Sequence, residues 1–263
     1  MAGFGDSWLA ADTKAAVAAF CDQLRSGVDG ATKVPNLEWT VGELGAHVVS
    51  MPALYRRQHD LGADFETPPD WAAYSVEQRA HITEREPAAL ADLIEAEVGG
   101  FLDEIDDAAE PRWLYGQQTT AGNIAAALLS EATLHGHDLG ALTGAEKRKL
   151  DRRQGNAIID ATMRLAPAFV DPAKVAALPE GTYHLRFRDG NDYTYRITEG
   201  RLEIEDGRVG KADAVMNAAP EVFAMLSLGR GNQALAALTG KVVAYGRKPW
   251  RLAGLSNIVA DGV

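Results

Sequence analysis

Leu128–Leu142 reads LLSEATLHGHDLGAL and sets Glu131, His135, His137 and Asp138 inside a run of Leu, Ala and Gly. Carboxylates and imidazoles ligate metals and move protons, so the first matter is which of the four share a helix face. Each helical residue advances by about 100°, which puts His135 about 40° from Glu131 and Asp138 about 20° to its other side. His137 falls about 120° away by the same count. Glu131, His135 and Asp138 therefore form one stripe, and His137 lies off it. A Glu and a His at i, i+4 can hold one metal ion, as the paired histidines of helical zinc motifs do; an intrahelical Glu–His hydrogen bond is the plain alternative. His47, in AHVVSM, falls on the side of Leu44, Val48 and Met51 and is expected to point inward. With it the set becomes His₂Glu, and catalytic zinc characteristically has three protein ligands and one open position. Asp138 suits either a carboxylate supporting a ligand from outside or a helix-end charge. His59, His81 and His184 lack such context and are expected at the surface.

These groups need helices to hold them, and up to about residue 145 the pattern is helical. The first helix is expected from about Ser7 to Arg25, with Leu9, Ala16, Phe20 and Leu24 near one face and Gly27 beyond its end. Thr40 and Glu43 form the T-x-x-E capping box, so the helix carrying His47 should start at Thr40 and run to about Tyr55. Residues 62–86, with paired prolines and mixed polarity, read as an ordered loop with at most a short helix. A third helix is expected from Pro87, with Leu90, Leu93, Ile94, Glu97, Phe101 and Ile105 at helical spacing. The fourth should span about Thr120 to Leu142 and stop at Gly144. Four apolar stripes make a helix bundle the economical solution for residues 1–145.

The second half, 150–263, changes period. One more helix is expected through Ile158, Ile159, Thr162, Leu165 and Phe169, ending near Asp171-Pro172. TYHLRFRDGNDYTYRI reads as a hairpin around a Gly-Asn turn, and GRLEIEDG, DAVMNAA and KVVAYG as strands. PEVFAMLSLGRGNQALAALTG reads as a helix pair or a broken helix, and KPWRLAGLSNIV as a closing helix. Strands flanked by helices indicate an α+β domain, joined to the bundle near the charged stretch TGAEKRKLDRRQG.

Bulk properties narrow the function. The 263 residues are 46% hydrophobic, enough for a sizeable core. A net charge of −11 excludes an ordinary nucleic-acid binder. No apolar run reaches the roughly 18 residues of a membrane span, and the N-terminus lacks the plan of a secretory signal. Cys21 is the single cysteine, so a cytoplasmic location is expected. Its place in AAVAAFCDQL suits a buried core thiol better than a nucleophile.

LEWTVGELGAHVVSM together with LLSEATLHGHDLGAL resembles the mycothiol-dependent maleylpyruvate isomerase family, whose N-terminal domain is a DinB-like four-helix bundle. Trp39, Thr40, Val41 and His47 match its Trp-Thr-Val entry and first histidine; Glu131, His135 and Asp138 match its later motif. The resemblance implies that His47, Glu131 and His135 ligate a divalent metal, usually zinc, with mycothiol as thiol cofactor. Relatives often carry an aromatic residue where this chain has His137. The strands from Tyr183 and LTGKVVAYGRKPWRLAGL look like the sterol-carrier-type α/β domain that follows the bundle in these proteins.

The implied chemistry is thiol activation. A metal-bound cofactor thiolate would attack a small electrophile such as maleylpyruvate, giving an isomerase when the thiol leaves again and an S-transferase when the adduct departs. An anionic substrate wants a cation, and the resemblance points to Arg247 as the catalytic arginine at the domain interface, with Arg251 as competitor. Two other classes stay open. One is a carrier of lipid or small apolar ligands with a non-catalytic metal site, in which VFAMLSLGRGNQALAALTG would line a cavity; the plainer expectation for this stretch is that its apolar residues fill the core. The other is a metal-dependent hydrolase or regulatory module on the same bundle.

Overall fold

The computed structural model describes residues 7–35, 37–64, 68–105, 111–146 and 148–259. The chain divides into two compact units, 1–149 and 150–263.

In the first unit, α1 (Trp8–Leu24), α2 (Val41–Leu61), α4 (Pro87–Glu104) and α5 (Ala121–Thr143) form a bundle in which α1 packs on α4 and α5, and α2 on both as well. Each start has a local cause. Ser7 Oγ accepts from Ala10 N–H ahead of α1. Thr40 and Glu43 complete the capping box of α2. Pro87 occupies the first turn of α4, where its missing N–H costs nothing. Thr120 caps α5, and Gly144 ends it in the left-handed conformation. Close approach of α2 to α4 depends on Gly45, where a Cβ would lie 2.8 Å from Leu90 Cδ1. The core is fully apolar at Phe20, Leu44, Met51, Leu54, Leu90, Ile94 and Leu102, whereas Leu93, counted on the apolar stripe, is 41% exposed.

Two features depart from the sequence expectation. The 62–86 connection contains a 14-residue helix, α3 (Pro68–His81), that packs on α2. Its two leading prolines open the helix, because the first N–H groups have no intrahelical acceptor to lose. Before α5 stands a two-stranded hairpin, β1 (Arg112–Leu114) and β2 (Gln117–Thr119), with Leu114 paired to Gln117. Three-residue strands are too short to show an alternation.

The second unit begins with α6 (Arg152–Leu165) under a second capping box, Asp151 with Gln154. This helix ends at Leu165, ahead of a 3₁₀ turn at Ala166–Ala168, and not near Asp171-Pro172. Pro167 lacks the N–H that would continue the helix, and Asp171 instead caps the short α7 (Pro172–Ala176). Five strands follow: β3 (Gly181–Phe187), β4 (Asp192–Thr198), β5 (Arg201–Asp206), β6 (Ala214–Ala218) and β7 (Val242–Gly246). They form one sheet in the order β5-β4-β3-β6-β7, parallel at β3–β6 and antiparallel elsewhere. The β3–β4 turn carries its positive φ at Asp189 rather than in a Gly-Asn pair. Between β6 and β7 lie α8 (Pro220–Ser227) and α9 (Gln233–Leu238). The closing segment is 3₁₀, Pro249–Asn257, and not α-helical.

Tyr183, Leu185, Phe187, Tyr193, Tyr195 and Ile197 alternate on one buried face. Tyr195 donates its hydroxyl to Met163 Sδ of α6 at 3.2 Å. The other face of the central strand is also covered, which corrects the placing of His184. That residue is 8% exposed, with Nε2 3.3 Å from the carbonyl of Val209 in the β5–β6 connection. The reading of α9 as core filling also fails, since Leu235 and Leu238 are 58% and 86% exposed.

Candidate metal centre

His47 and the Glu131–His135 pair come together inside the helical unit. Glu131 Oε2 lies 3.0 Å from His135 Nε2 and 3.6 Å from His47 Nε2. The three ligand-type atoms all fall within 4.8 Å of one another. In a tetrahedral zinc site with bonds of about 2.0–2.1 Å, ligand atoms stand roughly 3.3 Å apart. The two separations from Glu131 bracket that spacing and the whole set spans up to 4.8 Å, so these donors can close on a small divalent cation with a modest inward shift of the imidazoles. The two imidazoles meet edge to face, with ring centroids 5.2 Å apart.

The protonation states suit ligation. Burial drives the His47 pKa down, so its imidazole is neutral at pH 7. Burial works to raise Glu131, but hydrogen bonding to His135 and His47 outweighs it and holds the carboxylate well below its ordinary range. Both imidazole Nδ1 atoms are buried without a hydrogen-bond partner.

The capping box places Trp39 immediately ahead of α2, over the site. Its ring stands 4.8 Å from that of His47 and 6.3 Å from that of His135, centroid to centroid. Arg79, from α3, stacks its guanidinium 4.6 Å above the Trp39 ring. The sequence analysis did not single out Arg79, because it lies in the segment read as loop; its helical register against α2 was the missing signal. Near the other end of α2, Tyr55 and Gln58 are buried at 1% and 0% exposure. Gln58 Oε1 accepts from the backbone N–H of Tyr115, in the β1–β2 turn, at 2.7 Å.

The remaining sequence candidates lie elsewhere. His137 is partly exposed and outside the cluster, 4.0 Å from Asp138 Oδ1, while Asp138 is 2% exposed. Cys21 is buried, its thiol donating to Ala91 O at 3.5 Å, and burial pushes its pKa up to about 12. His81 is exposed; His59 is partly covered, with a buried Nδ1. In the second unit, Arg247 is ion-paired to Asp213 at 2.8 Å with 70% of its side chain exposed. Arg251 donates to Glu180 O at 2.8 Å. No helix among the described residues is long and apolar enough to cross a membrane.

Residues 10–140 match the family described as the mycothiol maleylpyruvate isomerase N-terminal domain. Curated proteins gave no sequence match. Among solved structures, a crystal structure of the mycothiol-dependent maleylpyruvate isomerase is 18% identical, covering 93% of this chain and 95% of that one, with a TM-score of 0.48. The apo sterol carrier protein 2 of Yarrowia lipolytica is 18% identical over 40% of this chain and 97% of its own, TM-score 0.30. A double mutant of the sec-alkyl sulfatase PisA1 is 17% identical over 54% of this chain and a quarter (25%) of its own length, TM-score 0.36.

Proposed function

Because its residues 10–140 make this chain a member of the mycothiol maleylpyruvate isomerase N-terminal domain family, we propose that it is a metal-dependent enzyme of low-molecular-weight thiol chemistry. The reading is an isomerase or S-transferase that uses mycothiol and acts on a small electrophile such as maleylpyruvate. The observation that carries it is the convergence of His47, Glu131 and His135, with Glu131 Oε2 3.6 Å and 3.0 Å from the two Nε2 atoms and one ligand atom of each residue within 4.8 Å of the others.

His47, Glu131 and His135 would hold the metal, zinc being the ion of choice for two imidazoles and a carboxylate. When bound, such an ion lowers the pKa of a coordinated thiol so that the nucleophilic thiolate exists at neutral pH. The protein's own groups do the rest. Burial keeps His47 neutral, so ligation needs no proton removed from it at pH 7. Glu131 stays ionised and supplies one negative charge, which leaves the loaded centre net positive. Trp39 lies against both imidazoles and shields them from water. Arg79, its guanidinium carbon 4.6 Å from the centre of the Trp39 ring, offers a positive charge for a carboxylate of the substrate. Arg247 remains the assignment in the second unit, where its guanidinium is bound by Asp213.

The test is to measure the metal content of the purified protein, then follow loss of maleylpyruvate with zinc-loaded protein with and without mycothiol. About one zinc per chain and turnover that requires the thiol are expected. Turnover without thiol would favour a hydrolase, and a wild type that takes up no zinc would sink the enzymatic reading.

One observation favours a second reading, a carrier for lipid or small apolar ligands. Leu235, Leu238, Val243, Tyr245 and Trp250 are all exposed large hydrophobic residues of α9, β7 and the segment after it. Organic extraction of the purified protein, followed by mass spectrometry, is its test; an apolar ligand at near one per chain is expected on that reading and absent otherwise.

A further inference from the structure

Residues 222–260 contain no Asp or Glu, in a chain that has 37 acidic residues against 26 basic ones. The same tract carries Arg230, Lys241, Arg247, Lys248 and Arg251. It also holds six of the ten large hydrophobic side chains exposed among the described residues, Leu235, Leu238, Val243, Tyr245, Trp250 and Val259. Single exposed apolar residues are ordinary, but their concentration in a tract of one charge sign marks a contact surface.

The fold gathers this tract at one edge of the sheet. β7 is an edge strand, α9 packs on it, and the 3₁₀ segment Pro249–Asn257 packs on β6 and β7. Lys241 N–H donates to Ala236 O, which ties the end of α9 to the start of β7. Leu235 and Leu238 stand three residues apart on α9 and so share a face. Asp213 takes Arg247 at 2.8 Å and Lys248 at 3.5 Å, which offsets one positive charge. Lys241 and Arg251 make no ion pair among the described residues. Arg251 donates to the carbonyl of Glu180, whose carboxylate accepts from Glu199 N–H at 3.0 Å. The opposite edge has the other sign. There β5 carries Glu203, Glu205 and Asp206, the two glutamates paired to Arg196.

Exposed Leu and Trp beside Lys and Arg complement a partner that offers apolar depth and negative charge together. An anionic bilayer does both, since its acyl boundary accepts Leu and Trp and its headgroups attract cations. A second copy docked with two-fold symmetry would set this patch on itself, with Lys241 and Arg251 against like charges. A nucleic acid offers phosphates but no apolar layer for Leu235 and Leu238.

We propose that the β7 edge of the second unit, with α9 and Trp250, docks on an anionic lipid surface. Leu235, Leu238 and Trp250 enter the acyl boundary, while Lys241 and Arg251 meet the headgroups. The metal centre has no part in this contact.

The experiment is cosedimentation of the full-length protein with vesicles of phosphatidylcholine alone and of phosphatidylcholine mixed with phosphatidylglycerol. Binding to the mixed vesicles only, weakened by salt, is expected. Lys241→Gln should weaken it about fivefold, the effect of one charge near the surface, and Leu238→Ala about tenfold. Both side chains are exposed, so melting temperatures should stay at the wild-type level. Leu93→Ala, at an exposed leucine of α4 outside the tract, should bind as wild type does. No binding to the mixed vesicles, equal binding to both kinds, or unchanged binding in Lys241→Gln or Leu238→Ala overturns the proposal. Light scattering after gel filtration supplies the remaining check. Self-association of the wild type that Leu238→Ala abolishes would assign the patch to a second copy and overturn the lipid contact.

Discussion

A single carboxylate oxygen, Glu131 Oε2, lies between His135 Nε2 at 3.0 Å and His47 Nε2 at 3.6 Å. The first separation is an i, i+4 contact along α5, and the second joins α5 to α2. Glu131 is therefore the polar hinge of the cluster: its one oxygen is what both Nε2 atoms face, whereas Trp39 meets the two imidazoles only through their rings.

Glu131→Gln tests that relationship with the least steric change. The amide keeps the shape but removes the charge, so zinc affinity should fall by more than the 10–100-fold typical of losing a group that merely supports a ligand. Metal analysis after gel filtration, with melting temperature recorded alongside, checks it. Zinc retained at wild-type stoichiometry would show that Glu131 serves only as the hydrogen-bond partner of His135.

Much of this was legible before any coordinates. The capping box at Thr40, the stop at Gly144 and the 100° arithmetic on Glu131 and His135 are local properties, and local rules fix helix ends and faces. That His47 belongs with the pair needed two helices to be placed together, which apolar periodicity on α2 implied. What escaped notice depends on tertiary packing. Arg79 sits on a helix whose sequence opens with paired prolines, and Tyr115 occupies a turn whose strands are three residues long. His184 carries no sign in its own strand of the connection that covers it. Leu235 and Leu238 show the converse, since an apolar pattern does not say which residues find a partner.

The stacked arginine gives a second expectation. Arg79→Gln should raise KM for an anionic electrophile by about tenfold, one charge-assisted contact, with zinc content unchanged. Arg79→Lys should behave nearly as poorly, because an ammonium lacks the flat face that lies on Trp39. If Arg247 has the role the family resemblance gives it, Arg247→Gln lowers kcat/KM also. Steady-state kinetics with mycothiol at saturation separates the two arginines, and an unchanged KM in Arg79→Gln removes Arg79 from substrate binding.

Cys21 should take no part in the chemistry. Its thiol is fully buried and protonated to high pH, so iodoacetamide at pH 8 should leave native protein unlabelled and react only on unfolding. Cys21→Ser should keep most turnover; complete loss would argue against an external thiol. The linkage sign follows from the raised pKa. The unfolded chain loses the thiol proton above about pH 9 while the folded one holds it to about 12, so stability contributed by the buried thiol is present below pH 9 and lost as pH rises through that window. The slope is about 1.4 kcal/mol per pH unit. Denaturant melts of wild type and Cys21→Ser between pH 8 and 10.5 measure it, the variant lacking this component.

Gly155 gives a prediction for the second unit alone. It lies in α6 where that helix crosses the start of α8, and a Cβ there would stand 2.5 Å from Glu221 N and 2.6 Å from Pro220 C. Those are backbone atoms, so no side-chain rotation relieves the clash and α6 must move off α8. In most helices Gly→Ala stabilises by about 0.4–1 kcal/mol, through lost freedom in the unfolded chain. Here overpacking reverses the sign, and Gly155→Ala should destabilise by about 1–3 kcal/mol. The sheet face that α6 covers, including Tyr195 against Met163, should become accessible with it. Hydrogen exchange resolved by peptide is the appropriate readout: faster exchange in 150–263, with 41–61 and 121–143 unchanged, fits this packing argument. Uniform slowing across α6 would mean that the helix pair has room to spare.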